Sequence, residues 1–163
     1  MRRETTEKAV LTAGMALWWL LLPMTGYRPG EYDLWPHVAY MWSHVNFWHL
    51  AGNLFVLWIM RGQLYLAPSL LIAFVASFIP AYGIYGDLGM TLGFSGVLFA
   101  IGGIKWGVYC TRRYGRYVSF SAFERFACKA LPFALIGIVI PHLNWSIHLY
   151  TLIIGYVYGR CRE

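Results

Sequence analysis

Six apolar stretches, separated by short polar or aromatic segments, organise the chain at about residues 9–24, 45–60, 66–84, 95–110, 126–141 and 146–159. Apolar runs of this kind, with so few charges in the chain, predict membrane spans rather than helices of a water-soluble domain. The first stretch follows a charged start, Met1-Arg2-Arg3-Glu4, and has the basic front and apolar middle of a signal peptide. No small-x-small cleavage site follows it, since Leu22-Pro23-Met24-Thr25 leads into an aromatic loop, so a retained helix is expected. Pro80 and several glycines lie in or beside the spans, where helices in a bilayer tolerate them when neighbouring helices satisfy the freed backbone groups.

Composition agrees with the pattern. Of 163 residues, 59% are hydrophobic and 12% charged, against about 25% charged in a soluble domain. One domain over residues 1–163 is expected: an all-α polytopic membrane protein of six transmembrane helices. The net charge of +6 does not point to nucleic acid, because the cations sit in short loops between apolar runs. With the N-terminus inside, twelve of the thirteen Lys and Arg residues fall on the inner side (Arg2, Arg3, Lys8, Arg61, Lys105, Arg112, Arg113, Arg116, Arg125, Lys129, Arg160 and Arg162) and Arg28 alone outside. That asymmetry predicts both termini inside. It puts all five histidines in the outer half and Cys110, Cys128 and Cys161 on the inner side as free thiols.

Polar groups at membrane depth are costly and are commonly paired or functional. Gly93-Phe94-Ser95-Gly96 opens the fourth span and His148 lies near the start of the sixth. A span of residues 95–110 covers only about 24 Å at 1.5 Å per residue, against a hydrocarbon core of about 30 Å. Ser95 is therefore expected to stop below the outer surface, at the floor of a cavity, with His148 beside it. His49 and Asn53, four apart, share one helix face. Both could bridge helices; both, together with the Ser95 backbone N–H at an open helix N-terminus, could also donate to a developing oxyanion. Gly96, Ala100, Gly103 and Gly107 make a small-residue stripe on the fourth helix, and Thr151, Gly155 and Gly159 make one on the sixth. Packing of these two faces would bring His148 alongside Ser95, and Phe99, one turn below Ser95, could support the imidazole by stacking.

Three ordered motifs make the chain resemble the rhomboid intramembrane serine proteases: His44, His49 and Asn53 on the second span, Gly93-Phe94-Ser95-Gly96 on the fourth, and His148 with its small-residue ladder to Gly159 on the sixth. The resemblance covers nearly everything from residue 35 onward. It implies a rhomboid-like six-helix fold without cofactor or metal, Ser95 as nucleophile and His148 as general base and acid. It further implies an oxyanion hole from His49, Asn53 and the Ser95 amide, a structural role for His44, and support from Gly93, Gly96, Phe99 and Gly155. Expected substrates are single-pass transmembrane proteins, cut within or near the span and entering sideways by the second and fifth helices, with residues 126–141 as the gate. The implied location is a bacterial inner membrane with the site facing outward. The alternative is a non-proteolytic rhomboid-like protein that binds membrane segments, although such proteins typically lack the serine or the histidine.

The chain departs from the family pattern at three positions. Pro36 stands where an arginine commonly follows the tryptophan of the first outer loop, which here is Trp35; Phe99 replaces a frequent tyrosine; and Thr151 replaces a small residue, predicting a looser contact between the fourth and sixth helices. His37 and His142 are expected at the interface, with Trp18, Trp19, Trp35, Trp42 and Trp145 as an aromatic girdle. A zinc protease is disfavoured, since there is no His-Glu-x-x-His and no acidic residue near His44 or His49. The basic run Arg112–Arg116 is read as an inner-face anchor with affinity for anionic lipid.

Overall fold

The computed structural model describes residues 2–81, 89–114 and 144–162. Within them the chain is all helical: α1 (Arg2–Leu21), α2 (Leu34–Ala39), α3 (Phe47–Ile59), α4 (Leu66–Ala76), α5 (Ser95–Tyr114) and α6 (Trp145–Arg162). Five of the six expected spans have a helix. The fifth, 126–141, lies outside the described residues, as do Cys128, His142 and the expected gate. The sixth described helix, α2, stands inside what reads as an aromatic loop, where Pro36 occupies the first turn and its missing N–H costs no helical bond.

Boundaries depart from the apolar runs for identifiable reasons. α4 ends at Ala76, short of residue 84, because Pro80 cannot continue a helix whose carbonyl four residues back belongs to Ala76. α5 and α6 run on through their basic ends to 20 and 18 residues, about 30 and 27 Å at 1.5 Å per residue. Contrary to expectation, therefore, neither helix is short enough to sink Ser95 below the outer surface. Among the described residues no helix is both long and apolar enough to cross a membrane. α3 and α4 are apolar but have 13 and 11 residues, short of about 20. The longer helices include Glu4, Glu7 and Lys8 in α1, Lys105, Arg112 and Arg113 in α5, and Arg160 and Arg162 in α6.

Packing centres on α5 and α6, which share the largest helix–helix contact, with α4 laid against both. The contact is backbone on backbone. A Cβ placed on Gly103 would lie 2.3 Å from the Leu152 carbonyl oxygen, one on Gly155 2.6 Å from that of Ala100, and one on Gly159 2.3 Å from that of Ile104. The two small-residue faces thus meet as expected. Thr151 does not loosen them: it is fully buried, and its hydroxyl donates to the Ile147 carbonyl at 2.7 Å within its own helix. Leu11 and Met15 of α1, Leu50 and Leu57 of α3, Ala73 of α4, and Val97, Leu98 and Ile101 of α5 share one buried cluster.

The two ends of the bundle differ in charge. Lys8 pairs with Glu4 at 2.8 Å and donates to the Met60 carbonyl, and Lys105 donates to the Arg61 carbonyl at 2.7 Å. Lys8 therefore satisfies carbonyl groups that the end of α3 leaves unpaired, the charge sign favoured at a helix C-terminus, and Lys105 the carbonyl just beyond it. Ser95 opens α5 at the opposite end.

Candidate active site

The segment leading to Ser95 is extended and held on both sides. Thr91 N donates to the Tyr27 carbonyl at 2.8 Å, and Gly93 N to the Tyr40 carbonyl at 2.8 Å. Gly93 has φ +114, a conformation open to glycine and strained for other residues. A Cβ there would also strike the His49 ring, 2.6 Å from Cε1 and 2.7 Å from Nε2. Phe94, fully buried against Trp42, anchors the turn, and α5 starts at Ser95.

Ser95 Oγ lies 2.8 Å from His148 Nε2 across the α5–α6 contact. The His148 ring is stacked on Phe99 with centroids 4.5 Å apart and planes at 23°, so the imidazole is held by an aromatic face. A hydroxyl donating to Nε2 requires the other ring nitrogen to carry the proton, the tautomer in which Nε2 can act as a base. Both side chains line a cavity of about 350 Å³ together with His49, Tyr40, Thr91 and Asn144. No carboxylate is found among the described residues that line it.

His49 and Asn53 come from α3, whose N-cap is Asn46: its side chain accepts from the His49 backbone N–H at 2.9 Å. The His49 ring reaches the cavity, with Nε2 beside Gly93. Asn53 is buried one turn further on, its Nδ2 donating to the His49 carbonyl at 3.1 Å and lying 3.5 Å from where a Gly93 Cβ would be. The structure thus brings Ser95, His148 and His49 to one cavity and sets Asn53 just behind it. His44 is buried, with Nδ1 donating to the Trp42 carbonyl at 3.0 Å and its ring edge-on to His49 at 5.2 Å. Burial and the neighbouring His49 hold His44 down to about 4, so it stays neutral in the physiological range. Gly96 faces Ile147 and the Tyr40 hydroxyl, and Gly155 the backbone of Ala100.

Several expectations are corrected. His37 is not interfacial: it is 1% exposed, sandwiched between Tyr27 and Phe78, with Nε2 donating to the Glu31 carbonyl and Nδ1 sharing a hydrogen bond with Ser77. The tryptophan girdle is divided. Trp35 is 60% exposed, but Trp42 packs inward on Phe94, and Trp18 donates to the Ser43 hydroxyl. Cys110 and Cys161 are free thiols. Asn144 and Thr91 were not among the expected site residues. Asn144 had a readable signal, an asparagine immediately before the last apolar run, where a helix cap belongs.

The rhomboid domain family model matches residues 31–162 of the chain. No curated protein matches the chain significantly.

Proposed function

The chain belongs to the rhomboid family, and from that premise we propose that it is an intramembrane serine endopeptidase that cuts transmembrane proteins within or near their span. Rhomboid proteins are integral membrane proteins and in general serine proteases, and the family includes inactive members. The observation that carries the active reading is the 2.8 Å contact between the Ser95 hydroxyl and His148 Nε2 on the wall of a cavity.

In the proposed reaction His148 Nε2 takes the Ser95 proton as Oγ bonds to the scissile carbonyl carbon, whose π electrons move onto oxygen. That oxyanion accepts from the Ser95 backbone N–H, His49 and Asn53. Collapse restores the carbonyl and breaks the C–N bond, His148 giving its proton to the departing amine. Water, deprotonated by His148, then releases the acyl group from Ser95. Phe99 and the helix packing orient the imidazole, the role an aspartate has in a triad.

Lipid contact is supported by large apolar side chains turned outward on several helices: Leu20 and Leu21 of α1 are 67% and 73% exposed, Phe55 of α3 66% and Leu71 of α4 62%. The basic end of the bundle is read as cytoplasmic, which turns the Ser95 end outward, in a bacterial inner membrane. Single-pass membrane proteins are the proposed substrates.

A fluorophosphonate serine probe applied to purified protein in detergent tests the reading. Labelling that disappears in Ser95→Ala supports it; an unlabelled wild-type protein that also cleaves no model transmembrane substrate leaves the non-proteolytic segment binder. Asn53→Ala is expected to raise the barrier by about 2–4 kcal/mol with the fold intact. Kinetics and thermal unfolding of the same sample check this, and an unfolded variant would make Asn53 a helix-bridging residue instead.

A further inference from the structure

Asn144 and Thr91 hold equivalent places, each four residues before a member of the Ser95–His148 pair. Asn144, 5% exposed, makes three hydrogen bonds at once. Its Oδ1 accepts from the Ile147 backbone N–H at 3.3 Å, closing the first turn of α6. Its Nδ2 donates to the Thr91 hydroxyl at 2.9 Å and to the Tyr27 hydroxyl at 3.3 Å. Thr91 is fixed in turn. Its backbone pairs with Tyr27, and Gly26 runs so close that a Cβ there would come within 2.2 Å of the Thr91 carbonyl oxygen. Tyr27 is buried against His37 and Tyr40, and burial raises its phenol well above the usual value, so the hydroxyl stays protonated.

The tight glycine contacts of α5 and α6 begin at Ala100 and Leu152, about 7 and 6 Å along their helices from Ser95 and His148. Near the site the packing is looser: a Cβ on Gly96 would meet Ile147 at 3.4 Å and Thr151 at 3.9 Å, ordinary contact distances. A second fixed point is needed there if a 2.8 Å serine–histidine contact is to persist, since two helices joined at one region can still pivot about it.

We infer that Asn144 is a positioning residue, clasping the start of the His148 helix to the extended segment that delivers Ser95 through the Thr91 hydroxyl. The inference rests on the reading of Ser95 and His148 as the reacting pair. Asn144 touches neither reacting atom; it sets their spacing from four residues upstream of His148, through Thr91, which lies four residues upstream of Ser95.

Two substitutions separate the clasp from the cap. Asn144→Ser keeps a capping hydroxyl but is too short to span to Thr91, whereas Thr91→Val keeps shape and removes the acceptor. Each is expected to lower kcat by about 10-fold with KM unchanged, as misplacement of reacting groups does, and the double variant to be no slower than the slower single one. Thr91→Ser restores the acceptor and is expected to restore kcat. Thr12→Ala, which removes the partner of Trp58 Nε1 at the opposite end of the bundle, controls for general loss of stability and is expected to leave kcat unchanged.

Wild-type kcat in Thr91→Val overturns the clasp while the protease reading stands; so does an equal loss in Thr91→Ser, which would make the position one of packing. If the wild-type protein neither labels nor cleaves, the protease reading fails first. The ¹⁵N resonance of the His148 ring then decides the clasp: a change in Thr91→Val that Thr91→Ser reverses supports it, and an unchanged resonance overturns it.

Discussion

Ser95→Ala and His148→Ala are each expected to lower kcat by about 10³-fold or more, and the double variant to be no slower than Ser95→Ala alone. The reason is geometric. Oγ and Nε2 are 2.8 Å apart, so the base acts on one proton, the one on that hydroxyl. Once the hydroxyl is gone the imidazole has no nucleophile to activate, and its further removal has nothing left to take away. Independent contributions would multiply instead, so the double variant separates a coupled pair from two residues that merely share a cavity. Phe99→Leu should be milder, because it removes the face on which the His148 ring lies but leaves Nε2 within reach of Oγ. A stacked aromatic contact contributes about 0.5–1.5 kcal/mol, which bounds the loss at about tenfold. Steady-state cleavage of a model transmembrane substrate and the second-order rate of probe labelling check both. An undiminished rate in His148→Ala would remove that residue from the chemistry.

How legible this site was in the sequence depended on the kind of interaction involved. The Ser95–His148 meeting was readable because it follows from two periodic small-residue faces, and such faces can be counted along a helix. Gly103, Gly155 and Gly159 indeed lie against carbonyl oxygens of the facing helix. Helix length was misjudged where hydropathy alone set the limit: α5 continues as a helix through Arg112 and Arg113, since charge at a C-terminal turn ends apolarity but not hydrogen bonding. α2 has only six residues, too few for an apolar run to mark it, and its Pro36 lies in the first turn, where it breaks nothing. His37 was misplaced because a lone histidine near aromatic loop residues carries no local mark of burial; its partners Ser77 and Phe78 are forty residues away in sequence. Asn144 and Thr91 escaped for the same reason, being fifty-three residues apart and meeting only after the helices have packed.

The sharpest test of that packing uses two neighbouring glycines on one helix, for which opposite outcomes are expected. Gly102→Ala adds a Cβ with nothing within 4 Å, whereas Gly103→Ala adds one 2.3 Å from the Leu152 carbonyl oxygen and 2.9 Å from the Tyr156 nitrogen. Both obstacles are α6 backbone, which no rotamer change can clear, so α5 and α6 must separate. Overpacking of this kind costs about 1–3 kcal/mol and more when backbone must shift, and separation also loosens the pair that Ser95 and His148 form across the contact. Gly102→Ala has only the propensity gain of alanine over glycine, about 0.5–1 kcal/mol in favour of the helix. Unfolding of the two variants in a denaturing-detergent titration should therefore shift in opposite directions, with probe labelling lost in Gly103→Ala and kept in Gly102→Ala. Equal stability of the two would mean that α5 and α6 do not meet along the Gly103–Leu152 line. The serine and histidine would then need another route to 2.8 Å. Because the substitutions are adjacent, identical and on the same helix, membrane thickness, detergent and helix propensity are common to both, and only the facing backbone distinguishes them.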